Sequence, residues 1–234
     1  MDNNDIIRVT SKPEEQSIIE RAKYIVQKQL LISAYLNKFD WYLADKTPVD
    51  IRQQEQVSQL ILKRIKKRII KSTTEVYVDD DYMDTVSTTD GFYASKKFDA
   101  DLVLTFNVGS NTRNSLLVIK KAMSFEKLKE FKELKKFIIK FVEIFEPKYI
   151  EISDYVFYND LMNLELDEYR FGWMTYFSKD VKLPSIPAEI KLEELSNGGR
   201  LLITTEETFS CENPDHIRKA KLLVDLFRSN NIKC

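Results

Sequence analysis

The sequence predicts an α+β fold: a single domain over residues 1–234, with a mostly antiparallel sheet and packed helices. Three observations predict it. Helical and strand-like runs alternate in blocks, the pattern of helices laid on an antiparallel sheet. Each long helical run carries one apolar stripe, and so has one face to bury. Hydrophobic residues make up 43% of the 234 and charged residues 31%, enough apolar side chains for a sizeable core.

Ile6 to Val9 is a short strand. Pro13-Glu14-Glu15 opens a long helix, with Ser11 as its cap and carboxylates at its positive end. Apolar residues at 18, 19, 22, 25, 26, 30 and 36 keep helical spacing, and Asn37 ends the run. Trp41-Tyr42-Leu43 is a buried run and 45–48 a loop. A second helix spans about Ile51 to Lys71, with Val57, Leu60, Ile61, Ile65 and Ile69 inward. From Thr73 to Asp101 the chain turns polar, strands are short, and Asp90-Gly91 makes a turn. Leu102 to Val108 and Ser115 to Ile119 form an antiparallel hairpin through a loop at 109–111. Ser124 caps a further helix, whose inner stripe includes Leu128, Phe131, Leu134, Ile138, Phe141, Val142 and Phe145; Pro147 stops it. Tyr149 to Ile152 is a strand, and 155–164 a helical turn or a loop.

The densest run of distinctive residues lies at 169–215. Gly172 and Trp173 open a strand that ends at Phe177, and Pro184 and Pro187 interrupt the chain after it. A short apolar run (Ile190, Leu192, Leu195) leads to a tight turn at Asn197-Gly198-Gly199. Leu201 to Thr205 is a third strand. Asn213 is an N-cap and Pro214 the first helical position of the last helix, which buries Ile217, Ala220, Leu223, Val224 and Phe227.

Charge and composition narrow the function classes. The net charge is −1, from 36 basic and 37 acidic side chains, so no global field steers the chain to nucleic acid or membrane. Two cysteines, Cys211 and Cys234, do not make a disulfide framework and suit a reducing compartment. The N-terminal stretch is polar and acidic, unlike a signal peptide, and no run nears the ~20 apolar residues of a membrane span. The expectation is a cytoplasmic protein.

Catalytic constellations are hard to assemble. His216 is the only histidine, so any Ser-His-Asp or Cys-His device must use it, and it cannot make a two-histidine zinc site. A restriction-type nuclease core wants an acid two positions before Lys120, where the chain has Val118. The acidic run Asp79-Asp80-Asp81 with Asp84 lacks the glycine and bidentate glutamate of a calcium loop. No catalytic, cofactor-binding or metal-ligating residue is assigned. Lys63 to Arg68, and Lys132, Lys135, Lys136 and Lys140, are basic runs that invite a nucleic-acid reading. Interleaved apolar residues at core spacing make each a solvated helix face instead.

Gly172-Trp173-Met174-Thr175-Tyr176, the prolines after it, Gly198-Gly199-Arg200-Leu201-Leu202, the 204–209 run, and Asn213-Pro214-Asp215-His216 with its helix together resemble the bacterial immunity protein 52 family. The resemblance is clearest over 169–228. It implies a cytosolic, non-enzymatic antitoxin of a polymorphic toxin system. Such a protein binds and blocks a cognate secreted toxin encoded next door, often a nuclease of restriction-endonuclease-like fold. Gly172, Trp173, Gly198, Gly199, Asn213 and Pro214 then mark the fold. Asp79, Asp80, Asp81 and Asp84, with Glu206 and Glu207, are the toxin-binding candidates, because exposed carboxylates mimic phosphate toward a basic cleft and steer association. The alternative is a nucleic-acid-binding accessory protein that uses the basic helices.

Overall fold

The computed structural model describes residues 5–10, 17–35, 40–43, 47–73, 88–96, 100–108, 116–120, 126–154, 164 and 168–233. The acidic run at 79–84, the hairpin loop at 109–111, the cap at Ser124 and the segment 155–163 lie outside the described residues. The fold is α+β with mostly antiparallel strands. The elements in order are β1 (Asp5–Thr10), α1 (Ile18–Tyr35), β2 (Asp40–Leu43), β3 (Pro48–Val49), α2 (Gln54–Ser72), β4 (Thr88–Lys96), β5 (Ala100–Val108), β6 (Leu116–Lys120), α3 (Phe131–Phe145), β7 (Tyr149–Asp154), β8 (Met174–Phe177), β9 (Lys191–Glu194), β10 (Arg200–Ile203) and α4 (Pro214–Ser229). They gather into two compact units, one of Thr10–Ile119 and one of Met1–Val9 with Lys120–Cys234.

In the Thr10–Ile119 unit the strands lie in the order β3-β2-β4-β5-β6. β2 pairs antiparallel with β3 and β4, and β4 with β5 along nine residues. Helix α1 begins at a capping box: the Ser17 amide donates to Glu20 Oε2 at 2.8 Å and the Glu20 amide to Ser17 Oγ at 3.3 Å. α1 and α2 pack on each other, and α2 also packs on β4. Val57, Ile61, Ile65 and Ile69 form the buried stripe of α2. The turn expected at Asp90-Gly91 is a correction. Both residues sit inside β4, opposite Phe106 and Thr105 of β5. Asp90 is buried because Arg64 of α2 reaches it, its Nε donating to Oδ2 at 3.0 Å and its Nη2 to Oδ1 at 3.2 Å. A carboxylate that a turn would leave in water is here matched inside the fold.

In the other unit the strand order is β1-β7-β8-β10-β9. β8 pairs antiparallel with β7 and β10, and β10 with β9. Because side chains alternate, register sorts them onto two faces. Tyr149, Phe177 and Leu202 share one face, where they pack with Ala220, Leu223, Val224 and Phe227 of α4. Ile150, Tyr176, Leu201 and Glu193 share the other, and Lys135 of α3 bridges to Glu193 there. The sheet is thus covered by a helix on each side. Glu146 ends α3 in the left-handed region (φ 45°), and its amide bonds the Val142 carbonyl.

Candidate functional site

The residues from Phe171 to Phe227 assemble around three fastened points. The first is Gly172-Trp173. A Cβ at Gly172 would run into the Ile152 carbonyl oxygen and lie 2.9 Å from Ser153 Cα, so only glycine lets this strand approach β7. The closeness is used: the Trp173 amide donates to Ile152 O at 2.9 Å, and Thr204 Oγ1 donates to Gly172 O at 2.6 Å. The indole is buried, and its Nε1–H donates to Thr205 O at 3.1 Å. Gly172→Ala is expected to cost about 1–3 kcal/mol, because the obstacle is backbone and cannot rotate away. A denaturant melt reads the loss as a lower midpoint with an unchanged slope.

The second point is the β9–β10 turn. Gly198 takes φ +77°, which favours glycine, and its amide bonds Leu195 O at 2.9 Å. A Cβ at Gly199 would enter the Tyr176 ring, 2.7 Å from Cζ. Asn197 locks the corner by accepting from the Gly199 amide at 2.9 Å and donating to Tyr176 Oη at 2.9 Å. Burial pushes the Tyr176 phenol up, so it stays a neutral acceptor.

The third point is the start of α4. Asn213 Oδ1 accepts from the Asp215 amide at 3.0 Å, and Pro214 follows at the first helical position. His216 is buried, stacks on Phe209, and takes the Ser210 amide on Nδ1 at 3.1 Å. Its Nε2 lies 3.2 Å from Asn213 Nδ2. His216 therefore pins the 204–213 loop to the helix.

Exposed charge collects beside β9. Lys191 Nζ lies 2.5 Å from Glu206 Oε1 and 3.1 Å from Glu193 Oε1. The Lys135 hydrogen bond holds the Glu193 carboxyl below the usual carboxylate range. Its contribution to stability is therefore present above the unfolded carboxylate pKa and lost as pH falls through the lowered folded value. Of the expected toxin-binding residues, Glu206 is exposed but engaged with Lys191, and Glu207 is the more open at 82% side-chain exposure, 3.9 Å from His216 Nε2. Gly172, Trp173 and Gly199 are buried, Gly198 is half-buried, and all four serve packing or turn geometry. Leu192, in the same short apolar run as Ile190, is 45% exposed, while Ile190 is 3% exposed.

Members of both basic runs meet carboxylates of this same chain. Arg64 and Arg68 meet Asp90. Lys135, Lys136 and Lys140 meet Glu193, Glu133 and Glu143. Among the described residues no group of three or more His, Cys, Asp or Glu is placed to hold a metal ion, and no helix is long and apolar enough to cross a membrane.

A family model described as immunity protein 52 matches residues 36–230. No curated protein matches the chain. A solved structure, the Pseudomonas aeruginosa T6SS protein PA0821, is similar in fold, with a TM-score of 0.53 at 9% identity over 96% of this chain and 72% of that one.

Proposed function

Since the chain belongs to the immunity protein 52 family, we propose that it binds and neutralises a cognate toxin stoichiometrically, as a cytoplasmic inhibitor and not as an enzyme. The family match across 36–230 carries this reading. The partner is a secreted toxin encoded beside this chain's gene, and the toxin class is a nuclease of restriction-endonuclease-like fold. A nuclease cleft is basic because it holds phosphates. The exposed carboxylates at Glu206 and Glu207 suit such a cleft, as do Asp79, Asp80, Asp81 and Asp84 in the sequence. Arg64, Arg68 and Lys135 have carboxylate partners within the chain, which weighs against their use in the nucleic-acid alternative.

The test is titration of the toxin's activity with this protein. Inhibition is expected to be complete near equimolar protein and to scale with its amount. Full inactivation by a small fraction of an equivalent would overturn the binding mechanism. Changing Asp79, Asp80, Asp81 and Asp84 to Asn is expected to leave the melt intact, slow association and weaken its salt dependence. Stopped-flow mixing at low and high salt measures this, and equal rates for both proteins at both salts would remove these four residues from the interface.

A further inference from the structure

We propose that the open edge of β9 is where a basic, extended segment of the toxin docks, adding one strand to the sheet. The inference rests on the immunity reading and deepens it by naming the surface and the chemistry of the partner segment.

β9 is the terminal strand of the order, and among the described residues no strand lies beyond it. The phase of its peptide groups follows from one bond. The Leu195 amide donates to Gly199 O at 2.8 Å, so residue 195 faces β10. Alternation then turns 193 and 191 toward β10, and turns the N–H and C=O of Leu192 and Glu194 outward. The register agrees, with Glu193 opposite Leu201 and Lys191 opposite Ile203. Two outward peptide groups, one residue apart, are the unit that an added strand pairs with. Leu192 itself is one of the few large exposed hydrophobics among the described residues.

Edge strands are commonly guarded by charge, lysine above all. Here the one lysine of the strand is drawn aside, its ammonium held between Glu206 and Glu193. Glu194 is an exposed carboxylate at one end of the strand, and at the other end the Lys191 ammonium faces two carboxylates, Glu206 and Glu193. A segment carrying lysine or arginine complements this strip. A second copy of the chain would bring the same acidic strip against itself.

The experiment is residue-resolved hydrogen exchange of the full chain, alone and with the purified toxin encoded beside its gene, its active site disabled by mutation. The Leu192 and Glu194 amides are expected to gain protection in the complex, beyond any gain at 191 and 193. Leu192→Pro removes an outward donor and leaves the bonds to β10 in place, since proline is accepted on an edge where the N–H faces solvent. It is expected to weaken toxin binding about tenfold or more with a near-native melt. A complex that forms with these two amides unprotected overturns the edge proposal and leaves the immunity reading standing. Absence of any complex with wild-type protein overturns both. Protection that grows with protein concentration and no toxin assigns the edge to a second copy, which also overturns the proposal. Should Leu192→Pro melt early, exchange in the wild-type protein decides alone.

Discussion

Trp173→Ala is expected to lower stability by about 3–5 kcal/mol, the cost of emptying a large buried aromatic site. That is a large share of the roughly 5–15 kcal/mol that holds a typical domain. In a chain of this size it corresponds to a fall of about 6–20 °C in melting temperature. The indole is 2% exposed, and its N–H satisfies the Thr205 carbonyl just past β10. The backbone of the same residue bonds Ile152 on one side and Thr204 on the other. Truncation therefore opens a cavity and also strands a carbonyl at the junction of three segments. Trp173→Phe separates these effects: it keeps much of the volume and removes the donor, and is expected to cost nearer 1 kcal/mol from the lost hydrogen bond. Thermal melts of both variants, paired with toxin binding, make the check. An unchanged melt with lost binding in Trp173→Ala would place the indole in the interface.

What was legible in the sequence is what local spacing dictates. The stripe of α2 (Val57, Ile61, Ile65, Ile69) follows from helical periodicity alone, and the structure buries these four. The cap of α4 follows from Asn213 and Pro214, whose chemistry is complete within three residues. The α1 cap follows by the same logic, since Ser17-x-x-Glu20 is a capping-box pattern; the start expected at Ser11 and Pro13 lies outside the described residues. β4 was not legible. Asp-Gly is a turn signal when nothing distant intervenes, and what intervenes is Arg64, 26 residues earlier. Nor was the exposure of Leu192. Its letter says core, and only the insertion of β10 between β8 and β9 makes its strand an edge. Gly172 announced a close approach without naming Ile152 as what is approached.

The second large effect is expected at Asp90. Its side chain is fully buried in β4, and it fastens α2 to the sheet through Arg64. Asp90→Ala leaves the Arg64 side chain, 15% exposed, without this carboxylate. Breaking a buried pair from one side costs about 3–5 kcal/mol, mostly the desolvation of the group left behind. Arg68 lies farther off, 3.7 Å from Oδ1, and is 45% exposed, so it turns to water and changes the sum little. Asp90→Asn keeps the shape and one acceptor and gives up the charge-assisted part, about 1.5–3 kcal/mol. The sharper test is a double-mutant cycle. Arg64→Met with Asp90→Leu removes both charges and fills the space with apolar groups, and is expected to be clearly less destabilised than the two single changes added together. Urea midpoints of the four proteins measure the coupling. Strict additivity would mean that the Arg64 guanidinium and the Asp90 carboxylate do not hold each other, and that β4 stays against α2 through Phe92 and its apolar neighbours alone.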